Sequence, residues 1–239
     1  MGFGSSSCPT NVESYTYRAL VSCLCRLLDH FTHARAFFLG HDWGGSVVWQ
    51  MAWQQPSRVL GVAAFCTPCR PPTKQYTSPQ KVAYKMPFFQ YQVYFARDDG
   101  SPEAELDRDP SVSVAMMLRT PHESDPYRRS LSHGLKNAGK PRDGLACTGL
   151  FDRLPSPLDP TVIRNHQALS EEERMAYAAA FQRTGFGPGL NLYRTSFLNW
   201  QDSMALLAAR GGKFVVDVPA LIVTAGLDKI LSPELTYVF

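Results

Sequence analysis

No stretch of these 239 residues stays apolar for the roughly 20 residues that a helix needs to cross a bilayer. The N-terminus also lacks the charged start and apolar run of a secretion signal, so a cytoplasmic location is expected. Charge of one sign is scarce: 24 Lys and Arg stand against 21 Asp and Glu, a formal net charge of +3. The densest basic run is Arg128-Arg129, and no stripe of cations interleaves with aromatics. Nucleic acid is therefore not expected as a partner, and no polybasic patch marks a membrane surface. The six cysteines, Cys8, Cys23, Cys25, Cys66, Cys69 and Cys147, are not spaced as a disulfide framework for a chain this long, and reduced thiols are expected. Cys66-Thr67-Pro68-Cys69 has the C-x-x-C form, but Arg70-Pro71-Pro72 follows where a redox motif would begin its helix. A zinc site would want a second ligand pair, and none stands at suitable spacing. Neither metal nor cofactor is expected.

What is present suits a globular α/β chain with room for one core and a lid. An amphipathic helix is expected from about Tyr15 to Phe31, with Leu20, Leu24, Leu27, Leu28 and Phe31 at helical spacing. Strands are expected over Ala36 to Leu39, Val59 to Phe65 and Ala220 to Thr224. Between about Arg70 and Gly212 the chain turns to proline-rich loops and separated helices, the composition of an inserted, mainly helical cap. Its clearest helix starts at Ser170 with Glu173 completing a capping box, presents Met175, Ala178 and Ala179 on one face, and ends near Gly185. Thr120 to Asp159 reads as a long lid loop. The expected partition is thus residues 1–69 as core, 70–212 as cap and 213–239 as core, without internal repeats.

The most informative motif is Gly40-His41-Asp42-Trp43-Gly44-Gly45, between the apolar strand and a helix closed by Pro56. Strand, sharp turn and helix match the G-x-nucleophile-x-G elbow, whose glycines relieve crowding so that the central side chain stands exposed. The bland alternative is an Asp capping the helix that follows. A serine here would attack an acyl carbon and need a base, whereas aspartate is already ionised near neutral pH and can displace a leaving group from a saturated carbon. The leaving group would be an epoxide oxygen or a halide.

Taken together, four ordered segments resemble the soluble epoxide hydrolases of the α/β-hydrolase fold, most closely the C-terminal hydrolase domain of the animal cytosolic enzyme. They are Gly2-Phe3-Gly4-Ser5-Ser6-Ser7, Gly40 to Gly45, the cap pieces Gln90-Tyr91-Gln92-Val93-Tyr94-Phe95 and Leu190-Asn191-Leu192-Tyr193-Arg194, and Val223-Thr224-Ala225-Gly226-Leu227-Asp228. The resemblance covers nearly the whole chain and departs at Leu192, where the family has Trp. It implies an incomplete parallel sheet flanked by helices with an inserted helical cap, and the conversion of epoxides, lipid or xenobiotic, to vicinal diols. It makes Asp42 the nucleophile, Tyr91 and Tyr193 the donors to the epoxide oxygen, Asp228 the charge-relay acid and the Trp43 backbone N–H an oxyanion donor. Without that likeness, each tyrosine reads as an aromatic anchoring the cap, and Asp228 as a turn residue.

In this fold the catalytic histidine follows the relay acid, yet His30, His33, His41, His122, His133 and His166 all precede Asp228. His41 lies beside the nucleophile and is expected to pack behind it. The HG-x-P loop, the other source of an oxyanion donor, is absent as well. These gaps suggest a chain truncated at both ends, impaired in ester hydrolysis and, with a shortened sheet, marginally stable or prone to aggregate. The alternatives are a haloalkane dehalogenase, which shares the Asp-Trp pair, and a catalytically dead variant that binds lipid epoxides or pairs with another subunit. The expected partners are a small-molecule epoxide and water, and a homodimer is left open.

Overall fold

The structure, a computed structural model, describes residues 1–118, 168–228 and 230–235. The segment expected as a long lid loop, Thr120 to Asp159, lies outside the described residues, as do Cys147, His122, His133 and His166. The chain divides into two compact units: Met1–Thr10 with Ser78–Arg194, and Asn11–Thr77 with Thr195–Phe239. These boundaries differ from the expected partition in placing the first ten residues with the helical cap and residues 70–77 and 195–212 with the sheet. Packing explains the shift. The Phe3 ring meets Phe181 edge-on at 6.5 Å and lies so close over Gly189 that a Cβ there would come within 2.8 Å of it. In the other unit, Asn199 accepts a hydrogen bond from the Tyr17 N–H at 2.8 Å.

In the sheet unit, helix α1 (Tyr17–His30) is capped by the Thr16 hydroxyl, which accepts from the Ala19 N–H at 3.3 Å. Strand β1 (Ala36–His41), helix α2 (Trp43–Gln54), strand β2 (Val59–Phe65) and strand β3 (Ala220–Val223) follow, and the sheet order is β1-β2-β3, all parallel. One sheet face is packed: Val21, Val48, Trp49, Met51, Ala52, Val59, Val62 and Ala64 form a buried cluster, with Leu24, Cys25 and Phe38 against it. Each fully buried aliphatic side chain there contributes about 1.5–3 kcal/mol. The inward stripe of α1 is centred on Val21 and Leu28, whereas Leu27 and Phe31, expected on the apolar face, are exposed.

The opposite sheet face carries Phe37, Leu39, Phe65, Leu221 and Val223. The register sets Leu39 beside Ala63 and Ala63 beside Leu221, then His41 beside Phe65 and Phe65 beside Val223. Phe37, Leu39 and Leu221 are 67%, 65% and 56% exposed. Near-continuous apolar strands are the composition of a parallel sheet meant to be covered on both faces; here both strand faces are apolar and, among the described residues, helices cover one.

The helical unit contains α3 (Pro79–Lys85), α4 (Gln90–Phe95), α5 (Ser101–Asp107), α6 (Pro110–Met117), α7 (Glu171–Thr184) and α8 (Gly187–Arg194). Helix α7 has the expected capping box: the Ser170 hydroxyl accepts from the Glu173 N–H at 3.2 Å, and the Glu173 carboxylate accepts from the Ser170 N–H at 2.8 Å. Its buried face differs from expectation. Arg174 and Ala178 are buried, while Met175 and Ala179 are exposed, because the Arg174 guanidinium finds partners in Ser111 and Glu171 and its alkyl stem packs like an apolar side chain. A last helix, α9 (Ser196–Ala209), belongs to the sheet unit.

Candidate active site

The elbow is forced by close approach. A Cβ on Gly40 would lie 2.2 Å from the Gly44 carbonyl oxygen, and one on Gly45 would lie 2.5 Å from the Thr67 Cβ. Only glycine fits at either place. Asp42, between them, has φ +53° and ψ −120°, a conformation that L residues avoid. Its carboxylate Oδ1 accepts from the Trp43 N–H at 2.8 Å, so the half-buried side chain caps helix α2.

Surrounding bonds hold the strain in place. The Asp42 carbonyl accepts from the Ser46 N–H at 3.1 Å and from the Thr67 hydroxyl at 2.8 Å. Thr67 is in turn fixed by its own carbonyl, which accepts from the Trp49 indole N–H at 2.9 Å. Neither Thr67, read only as part of a C-x-x-C form, nor Ser46, read only as part of the helix after the elbow, carries a sequence signal of this role.

Asp228 follows β3 in the same unit, and its Oδ1 accepts from the N–H groups of Ile230 and Leu231 at 2.8 and 2.9 Å. That is a turn arrangement. The buried Cys66 thiol, at the end of β2, links it to the elbow: burial raises the thiol pKa first, then the charge of Asp228 and a hydrogen bond to its carboxylate, and more weakly the charge of Asp42. The Cys66 thiol therefore adjoins Asp228, while the charge of Asp42 acts on it only weakly. Cys66, with φ +63°, was legible only as half of a C-x-x-C. Cys8, Cys23, Cys25, Cys66 and Cys69 are free thiols, and burial pushes Cys69 up to about 11. Among the described residues, no group of three or more His, Cys, Asp and Glu is placed to hold a metal, and no helix is long and apolar enough to cross a membrane.

Tyr91 on α4 and Tyr193 on α8 come together in the helical unit, ring centroids 6.0 Å apart and 77° between planes. Phe95 packs on both, at 5.7 and 5.2 Å. The Tyr91 hydroxyl accepts from the Gln92 side-chain amide at 3.3 Å. Arg194 anchors α8 by donating to Asn191 at 2.9 Å and to Glu103 at 2.6 Å, and Leu192 is buried. His41, expected to pack behind the nucleophile, is exposed at the end of β1, on the uncovered side of the sheet, because the two-residue period of the strand turns it outward. His30 and His33 are exposed as well.

A family model described as the alpha/beta hydrolase fold matches residues 1–239. The chain is 34% identical over 235 residues to bifunctional epoxide hydrolase 2 of Rattus norvegicus, covering 98% of this chain and 38% of that protein. It is 34% identical over 238 residues to epoxide hydrolase A of Mycobacterium tuberculosis, covering 97% of this chain and 66% of that protein. Among solved structures, epoxide hydrolase A from Mycobacterium thermoresistibile superimposes with a TM-score of 0.70 at 32% identity, over 94% of this chain and 64% of that one. The chain thus spans less than two fifths of the rat relative and about two thirds of the mycobacterial ones.

Proposed function

This chain belongs to the α/β-hydrolase-fold family, and from that premise we propose that it opens epoxides by forming an ester on Asp42. A carboxylate oxygen attacks a ring carbon and the carbon–oxygen bond breaks. The departing oxygen takes a proton from the Tyr91 or Tyr193 hydroxyl, leaving a hydroxyalkyl ester and a phenolate. Water then adds to the ester carbonyl. The oxyanion that forms is an Asp42 oxygen, within reach of the Trp43 N–H that already donates to Oδ1. Collapse releases the vicinal diol, and the proton left on the acid returns to the phenolate.

The observation that carries this proposal is an ionisable carboxylate held at φ +53° in a turn that only glycines can flank. The paired rings of Tyr91 and Tyr193 and the similarity to proteins named epoxide hydrolases support the substrate class. Asp228 is the proposed relay acid. None of the six histidines follows it, and general base catalysis contributes about 100- to 10,000-fold to such steps. These 239 residues on their own are therefore proposed to form the ester faster than they clear it. Lipid or xenobiotic epoxides, a cytoplasmic setting and pairing of two copies belong to the same proposal.

Intact-mass spectrometry after incubation with styrene oxide tests it. An adduct of the epoxide's mass is expected, lost in Asp42→Asn and formed about 100-fold more slowly when Tyr91 and Tyr193 are both changed to Phe. An adduct that survives Asp42→Asn overturns the nucleophile. Steady diol release without any adduct overturns the stalled second step.

A further inference from the structure

The two helices that carry the phenols are fastened to each other and to a third. Arg194, the last residue of α8 and the neighbour of Tyr193, donates its Nε–H to the Arg97 carbonyl at 3.0 Å, and its Nη2 donates to the same oxygen. That carbonyl belongs to the turn that ends α4, where the N–H groups of Ala96 and Arg97 donate to the Gln92 and Tyr94 carbonyls at 3.0 and 3.1 Å. The same guanidinium donates to the Asn191 side chain at 2.9 Å, within α8, and to Glu103 on α5 at 2.6 Å. Helix α5 grips the other end of α8 as well. Asp107, four residues after Glu103 and so on the same face of α5, accepts from the Phe186 N–H at 2.8 Å just before α8 begins. Gly187 lies against Glu103, where a Cβ would stand 3.3 Å from the Glu103 Cγ. The Arg194 and Glu103 side chains are 13% and 26% exposed, so both charges are largely withdrawn from water.

Proton donation to a departing oxygen depends on where the donor stands, and a displacement of about 1 Å can cost about 100-fold in rate. Tyr91 and Tyr193 sit on separate helices with ring centroids 6.0 Å apart, and the apolar packing of Phe95 between them is non-directional, so it tolerates sliding. The guanidinium does not. Its donors are fixed in one plane, and the Arg97 carbonyl, Asn191 and Glu103 are all reached only when α8, α4 and α5 keep one arrangement. We propose that Arg194, seated on Glu103, is a positioning residue: by locking the end of α8 to the end of α4 it sets the spacing of the Tyr91 and Tyr193 hydroxyls, and with it the delivery of a proton to the epoxide oxygen. The inference rests on the epoxide-opening function proposed above, in which those phenols are the donors.

The test is a double-mutant comparison of adduct formation from styrene oxide on the 239-residue chain, read by intact mass. Arg194→Gln is expected to slow adduct formation about tenfold. In the chain that also carries Tyr91→Phe and Tyr193→Phe, where no hydroxyl remains to be placed, it should change the rate less than about twofold. Glu103→Gln, which keeps an oxygen to accept from Arg194, should lose less than Glu103→Ala. Should Arg194→Gln not fold, as circular dichroism would show, Arg194→Lys carries the same comparison, since it keeps the charge but cannot serve three acceptors from one plane. Equal slowing in both backgrounds marks a general structural role and overturns the positioning, as does an unchanged rate in the folded variants. If the two Phe substitutions by themselves leave the rate unchanged, the phenols are not the donors and the inference falls with them, while ester formation on Asp42 stands. Absence of adduct on the unaltered chain overturns the epoxide function as a whole.

Discussion

Asp42 combines a charge, a helix cap and a backbone strain that costs on the order of 1–3 kcal/mol. Such strain persists only where neighbours over-determine it, and Thr67 is the neighbour placed to do so, with its hydroxyl on the Asp42 carbonyl and its Cβ against Gly45. Thr67→Val keeps the shape and removes the bond. It is expected to cost about 1 kcal/mol, lowering Tm by about 2–4 °C for a chain of this size. It should also slow adduct formation by about tenfold, because small displacements of an attacking group are costly. Thr67→Ser should restore the rate. Thermal denaturation beside adduct kinetics checks both, and equal rates in the Val and Ser variants would remove Thr67 from the elbow's support. The glycines, the acid and the following tryptophan were legible in the sequence because their spacing is set by one tight turn. Thr67 was not, since it reaches Asp42 from 25 residues away.

At the level of elements, helix α7 was legible from both ends, by its capping box and by Gly185 at its close, with φ +66°. Ser170→Ala should cost about 0.5–2 kcal/mol of local stability. Amide hydrogen exchange in the first turn of α7 would reveal it as faster exchange there with α6 unaffected. The Ser170 N–H holds the Glu173 carboxylate below its ordinary pKa. A depressed folded-state value means that this contribution is present above the unfolded pKa and is lost as pH falls through the folded one. The first turn should therefore loosen on acidification below the usual glutamate range, and an exchange rate indifferent to that acidification would contradict the cap. What the sequence did not show was which side of α7 faces inward. The faces marked by Arg174 and Met175 differ by one residue, about 100° of rotation. Apolar preference pointed to Met175, whereas the bonds to Ser111 and Glu171 turned Arg174 inward.

At the level of the whole molecule, each compact unit is assembled from two separated stretches of chain, and Asp42 belongs to one unit while Tyr91 and Tyr193 belong to the other. Within the sheet unit, the apolar face of Phe37, Leu39, Phe65, Leu221 and Val223 is exposed, a surface of the kind that drives association. The 239-residue chain in isolation is expected to bind a hydrophobic dye and to self-associate with rising concentration. Phe37→Ser with Leu39→Ser should reduce both, as light scattering and dye fluorescence would record. A monodisperse monomer without dye binding would contradict it.

The amino-acid order alone determined the strand, turn and helix around Asp42, the limits of β2 and of α7, and the parallel α/β character, because these follow from local crowding, capping and apolar periodicity over a few residues. Tertiary structure alone decided that Arg194 meets Glu103, that Thr67 clamps the elbow, that Cys66 adjoins Asp228 and that Tyr91 packs on Tyr193. Those pairs are brought together by the way helices and strands pack, and a contact between residues far apart in the chain leaves no periodic trace in the segments that make it.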